Sequence, residues 1–202
     1  MSNKFITGLA TAMALLAGCS DADNKVLTTD EIGVAVSAEE NREYSYTDKK
    51  AGYWYGTTHQ ESPEWWSGWN MAKKRILADY SLGVDGTALD RKEAQVTVYP
   101  ERLERKWKGT QETFCLVDNL PIIYIGVKTD ADAISCSLDM GHIKEVVSAE
   151  DGLFFTPNEA QDKRIMLTTA SEADFTASNL FPAEFLHCLS VYLIIIEKFM
   201  VF

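Results

Sequence analysis

The chain has 202 residues, with 30 Asp and Glu against 19 Lys and Arg and a formal net charge of -11. An acidic surplus of that size repels phosphate backbones and anionic lipid head groups, which excludes nucleic acid as the working partner. The length suits one sizeable hydrophobic core better than two, so one folded domain is expected.

Met1-Ser2-Asn3-Lys4 is a short polar and basic start, and the apolar run from Phe5 to Ala17 that follows is too short to stay in a bilayer as a spanning helix. Leu16-Ala17-Gly18 then sets small residues before Cys19. This tetrad resembles the bacterial lipobox, and the resemblance implies a lipoprotein signal peptide over 1–18, cleavage before Cys19 and acylation of the Cys19 thiol. Two or three acyl chains anchor stably where one does not. The implied location is the cell envelope, with a lipid anchor at Cys19. Ser20 in place of the Asp that marks inner-membrane retention favours the outer membrane where two membranes exist. Residues 19–43 are polar and charged, as a lipidated tether would be.

From Tyr44 the character changes. Tyr44, Tyr46, Tyr53, Trp54, Tyr55, Trp65, Trp66 and Trp69 crowd one stretch, which holds four of the chain's five tryptophans. Aromatic faces stack on the C–H faces of sugar rings, and neighbouring polar side chains bond hydroxyls. Trp54, His59, Glu64, Trp65, Trp66, Trp69 and Asn70 are therefore the candidate carbohydrate-binding or domain-interface residues. The competing expectation for each tryptophan is a place in the core. Trp65 and Trp66 are adjacent, so in a regular strand they would point to opposite faces and at most one would meet a given ligand.

The segment Trp69 to Tyr80, with Met71, Ala72, Ile76 and Tyr80 at helical spacing, is the one helical candidate. Ile76 to Val84 then runs into Asp85-Gly86, the dipeptide favoured in a two-residue type I′ hairpin. Ala94 to Tyr99 alternates and stops at Pro100. Leu103–Trp107 and Glu112–Val117 flank Lys108-Gly109, a second hairpin candidate. Pro121 to Val127 is a continuous apolar run, as in a strand buried on both faces. Ile134–Leu138, Ile143–Val147, Leu153–Thr156 and Arg164–Thr169 continue the series. Short strands at this spacing predict an all-β fold, an antiparallel β-sandwich over 44–180.

Residues 181–202 form an apolar tail that leaves two readings open: a last strand or helix closing the core, or, favoured, a truncation or frameshift remnant of a longer protein. Uncovered, so apolar a segment invites aggregation.

No catalytic residues are assigned. The chain lacks G-x-S-x-G, G-x-x-x-x-G-K-[ST], H-E-x-x-H and C-x-x-C, and spacing singles out no carboxylate pair among its many acids. With Cys19 given to lipid, Cys115, Cys136 and Cys188 lack metal spacing, and His59, His142 and His187 stand singly, so neither a metal nor a cofactor is expected. In an oxidising compartment Cys115 and Cys136 are candidates for a disulfide, leaving one cysteine over.

The order Tyr53-Trp54-Tyr55-Gly56, Trp65-Trp66-Ser67-Gly68-Trp69-Asn70-Met71-Ala72-Lys73-Lys74-Arg75, Asp79-Tyr80-Ser81-Leu82-Gly83-Val84-Asp85-Gly86 and Val96-Thr97-Val98-Tyr99-Pro100-Glu101-Arg102-Leu103-Glu104-Arg105 resembles the N-terminal β-sandwich of glycogen-debranching-type glycoside hydrolases. The likeness covers roughly residues 44 to 170. In that family the sandwich precedes a six-hairpin (α/α)6 barrel that carries the catalytic carboxylates. The resemblance implies a parent activity like that of an amylo-α-1,6-glucosidase, with a helical barrel as the missing partner domain, its start near Phe181-Pro182-Ala183-Glu184. This chain alone would then be a non-catalytic module of a surface-anchored enzyme acting on α-glucans or oligosaccharides. The alternative is a freestanding envelope lipoprotein whose aromatic segment contacts a ligand or partner, and a purely structural envelope lipoprotein is a third reading.

Overall fold

The computed structural model describes residues 27–62, 64–139, 143–149, 152–169, 183–184 and 188–197. The signal segment 1–18 and Cys19 lie outside the described residues.

Three antiparallel sheets make up the fold. The largest has nine strands in the order β1 (Val34–Val36), β8 (Gln95–Val98), β9 (Leu103–Trp107), β10 (Thr110–Leu116), β11 (Ile122–Thr129), β17 (Cys188–Glu197), β15 (Lys163–Thr169), β14 (Gly152–Pro157) and β13 (Ile143–Ala149). A four-stranded meander follows chain order: β2 (Glu43–Thr47), β3 (Gly52–Thr57), β4 (Gly68–Met71) and β5 (Lys74–Leu77). A second four-stranded sheet runs β16 (Ala183–Glu184), β12 (Ala133–Leu138), β6 (Tyr80–Val84) and β7 (Thr87–Ala88).

Period-two burial explains the layering. β3 and β10 alternate between buried and half-buried positions along their whole length, so each gives one face to the core. Phe114 on β10 is fully buried and joins the layers: its ring lies 4.9 Å from Trp54, 6.4 Å from Tyr44 and 5.7 Å from Tyr80, stacked on the last at 14°. Rings from both small sheets thus meet one ring of the large sheet, and a single apolar cluster runs through all three. The architecture is the expected all-β sandwich.

The turn chemistry matches expectation at Asp85 (φ 48°) and Gly86 (φ 75°), the type I′ pair between β6 and β7. It differs at the helical candidate. Trp69–Tyr80 holds β4, β5 and the start of β6, and the reversal falls on Ala72 (φ 49°) and Lys73 (φ 65°), a two-residue hairpin turn of the same left-handed type. Neither residue favours positive φ, so the turn carried no local signal; pairing of Trp69 with Leu77 and Met71 with Lys74 imposes it. The tether expected over 19–43 also departs from expectation. Val34–Val36 is β1, paired with Val96–Val98 at the sheet edge, and the Asp30 carboxylate before it accepts from Arg102 at 2.6 Å. In the tail, the backbone of Cys188–Glu197 forms β17 between β11 and β15.

One charged pair lies inside the sandwich. Arg105 on β9 and Glu112 on β10 are cross-strand partners, each 1% exposed, with Nη1 donating to both carboxylate oxygens at 3.2 and 3.1 Å. Nε of Arg105 also donates to the Thr58 carbonyl at 3.0 Å, and the Tyr80 hydroxyl donates to Glu112. Burial alone would lower the Arg105 pKa, but Glu112, Tyr44 and Tyr80 more than offset it and the guanidinium stays charged. Burial, with Glu112 beside it, drives the Tyr80 phenol far up, so that it remains a donor. This network ties the loop after β3 to the large sheet.

Candidate functional site

The aromatic segment divides by strand parity. β3 sends Trp54 inward and Tyr53 and Tyr55 outward, where they are half-buried on the outer face of the meander. Trp54 is 2% exposed, donates from Nε1 to the Tyr44 hydroxyl at 3.2 Å, and stands opposite Trp69, which is fully buried. Both are core residues, not ligand contacts.

Trp65 and Trp66 occupy the centre of a turn in which the Ser67 amide donates to the Glu64 carbonyl at 3.0 Å. In a turn, adjacent side chains need not diverge. The two indoles meet edge to face, 5.3 Å apart at 85°, so the expectation that at most one faces a ligand fails with its premise of a regular strand. Trp65 is 77% exposed and Trp66 37%. Tyr55 completes the group, its ring 6.5 Å from Trp66 and tilted by 58°. Together the three rings form an open aromatic corner.

The corner is held from below. Asn70 is buried and its side-chain amide donates to the Trp66 carbonyl at 2.8 Å and the Gly68 carbonyl at 3.1 Å, which uses both amide hydrogens. Gly68 closes the turn at φ 85°, and a Cβ there would stand 2.1 Å from the Leu77 carbonyl oxygen, so no other residue fits. Arg75 on β5 donates from Nη2 to Ser67 Oγ at 2.8 Å. Asn70 thus positions the corner and is not itself a contact.

Glu43, at the start of β2, shares the outer face of the meander with Tyr55 and lies diagonal to it across the β2–β3 pair, and its influence, with a smaller one from Glu64, holds the Tyr55 phenol above its ordinary pKa. At neutral pH Tyr55 is therefore a phenol, with Glu43 on the same sheet face and Glu64 at the start of the neighbouring turn. Glu64, one of the candidates, belongs here; Glu43 and Tyr55 were not among them. Alternation within Tyr53-Trp54-Tyr55 was the signal that could have found Tyr55.

His59 does not join the site. It is 1% exposed, with Nε2 3.2 Å from the Ala94 carbonyl and Nδ1 2.9 Å from Thr58 Oγ1, and its backbone amide donates to Asn41 Oδ1 at 2.9 Å. Burial lowers its pKa, so the ring is neutral at pH 7 and serves as a tie between the loop and β8. The Cys115–Cys136 disulfide is not formed. Both thiols are free, because Cys115 lies on the outer face of β10 while Cys136 points into the core from β12. Burial pushes the Cys136 thiol up to about 12.

Hollows lie elsewhere among the described residues. One of about 510 Å³ lies at the end of the β9–β10 hairpin, beside Trp107, Lys106 and Lys128. Another of about 370 Å³ lies over Ser81, Gly83, Ser135 and Ser137 on β6 and β12. Among the described residues no group of three or more His, Cys, Asp or Glu is placed to hold a metal ion, and no helix is long and apolar enough to cross a membrane.

No protein-family model matches this chain, and no curated protein is similar enough to match it either.

Proposed function

We propose that this protein is a non-catalytic, glycan-binding β-sandwich module, lipid-anchored at the cell envelope through Cys19, that holds oligosaccharides or α-glucans for a surface glycoside hydrolase. The observation that carries the binding role is the corner of Trp65, Trp66 and Tyr55, held open to solvent by Asn70 and Gly68. Exposing a tryptophan at 77% forgoes the burial that its fellows Trp54 and Trp69 enjoy, which suits a residue whose partner is another molecule. The lipobox-like tetrad supports the anchor, and the likeness of residues 44–170 to debranching-type sandwiches supports the enzymatic context.

The test is a tryptophan-fluorescence titration of the purified chain against maltooligosaccharides and a panel of other α- and β-linked glucans. A saturable change is expected, weakened about tenfold in Trp65→Ala, the equivalent of roughly 1.4 kcal/mol. Unchanged fluorescence and no calorimetric heat across the panel would remove neutral glucans as ligands, and the same silence with charged oligosaccharides would remove the glycan reading. A freestanding lipoprotein that presses the same corner against a protein partner would then take its place, since exposed tryptophans also anchor protein interfaces.

A further inference from the structure

We infer that the corner takes an amino-sugar unit carrying a free ammonium group, so that the preferred ligand is a cationic, glucosamine-type oligosaccharide rather than a neutral glucan. This rests on the glycan-binding reading and narrows it.

Ring geometry comes first. A neutral chain lying flat needs aromatic faces in one plane. Here Trp66 is tilted 58° from Tyr55 and 85° from Trp65, so the three ring faces look in different directions. Such an arrangement suits a compact group better than a flat chain, and the negative faces of aromatic rings attract a cation placed over them.

Charge is the second observation. Two carboxylates border the corner: Glu43 on the outer face of β2, diagonal to Tyr55 across the β2–β3 pair, and Glu64 on the turn that carries both tryptophans. Of the neighbouring cations, Arg42 is paired with Glu40 at 3.0 Å and Lys74 with Asp162 at 2.9 Å, while the Arg75 guanidinium is held beneath the turn on Ser67 Oγ at 2.8 Å. A neutral sugar would gain hydrogen bonds from the two glutamates but would have no use for their charge. An ammonium group gains from the charge and from the rings together. The chain's net charge of -11 works in the same direction at longer range, drawing a polycationic glycan towards the surface.

The experiment is calorimetric titration of the full chain with three trisaccharides matched in length: the β-1,4-linked glucosamine trimer at mildly acidic pH, its fully N-acetylated form, and the corresponding glucose trimer. The glucosamine trimer is expected to bind about tenfold tighter than the other two, and that preference should shrink as salt rises. In the Glu43→Gln, Glu64→Gln double variant the glucosamine trimer should fall to the affinity of the glucose trimer, with an unchanged thermal midpoint as the control for folding. Equal affinities for all three trimers would overturn the amino-sugar inference and leave the glycan reading standing. Absence of binding by all three, together with a silent glucan panel, would overturn both.

Discussion

Two pairs of tryptophans sit a few residues apart in one stretch of chain and meet opposite fates. Trp54 and Trp69 are cross-strand partners on the inner face of the meander, 2% and 0% exposed, packed on Phe114 and its neighbours. Trp65 and Trp66 ride a turn between the same two strands and stand out from it. Residue type is identical in the two pairs; pleat position and turn geometry differ. Removing a side chain from each pair sharpens the contrast. Trp69→Ala should cost about 3–5 kcal/mol in a denaturant titration, the range for a fully buried tryptophan, whereas Trp65→Ala should shift stability by less than about 0.5 kcal/mol while losing ligand affinity. A large stability loss in Trp65→Ala would mean that the corner is a structural element and would break the division drawn here.

The Arg105–Glu112 pair extends the comparison from apolar to charged groups. Exposed ion pairs such as Lys74–Asp162 contribute little, because water competes for both partners. At 1% exposure each, Arg105 and Glu112 have no such alternative. Arg105→Ala should therefore destabilise by about 3 kcal/mol or more, because Glu112 is left charged and buried without its partner. The double variant Arg105→Met, Glu112→Leu should recover much of that loss. The single variant should also loosen the loop at Thr57 and Thr58, whose carbonyls Arg105 holds, and hydrogen exchange over residues 57–67 would report it.

Much of the fold was legible because β-strands write their faces into the sequence with period two. Ala94–Tyr99, Ile134–Leu138 and Leu153–Thr156 each contain or overlap a strand that the structure shows. Asp85-Gly86 was legible for a different reason, since both residues tolerate positive φ. The Ala72-Lys73 turn was not: neither residue has that tolerance, and only the pairing of flanking strands enforces it. The site was legible as a region but not residue by residue. Four tryptophans in one stretch marked it, yet composition could not separate core from surface while the strand boundaries were unknown. His59 and Asn70 read as ligand-binding polar groups, when both are consumed by backbone partners that lie far off in sequence or inside a turn. Tyr55 and Glu43 were overlooked because their roles depend on the β2–β3 register, which sets Glu43 opposite Thr57.

The smallest effect concerns His59, and it distinguishes a tie from a contact. The Ala94 carbonyl can only accept, so Nε2 carries the proton and Nδ1 takes a hydrogen bond from the Thr58 hydroxyl, whose oxygen already accepts from the Arg42 amide at 3.0 Å. Protonating Nδ1 would turn that hydroxyl away and bury a charge not far from Arg105. Burial first, and Arg105 in addition, therefore hold the folded pKa below the ordinary 6.5, with the Ala94 hydrogen bond opposing. Below 6.5 the unfolded chain takes up a proton that the folded chain refuses. The stability His59 confers is then full above 6.5 and drains away as pH falls from there towards the folded value, at no more than about 1.4 kcal/mol per pH unit. Carboxylate contributions enter at more acid pH; Asp162, lowered from 3.8 mainly by its hydrogen bond from Lys74, is one. Thermal midpoints of the native chain should decline over the histidine window, and His59→Gln should flatten that decline without altering affinity for any glycan. An undiminished slope in the variant would assign the titration to another group, and a lost affinity would return His59 to the binding site.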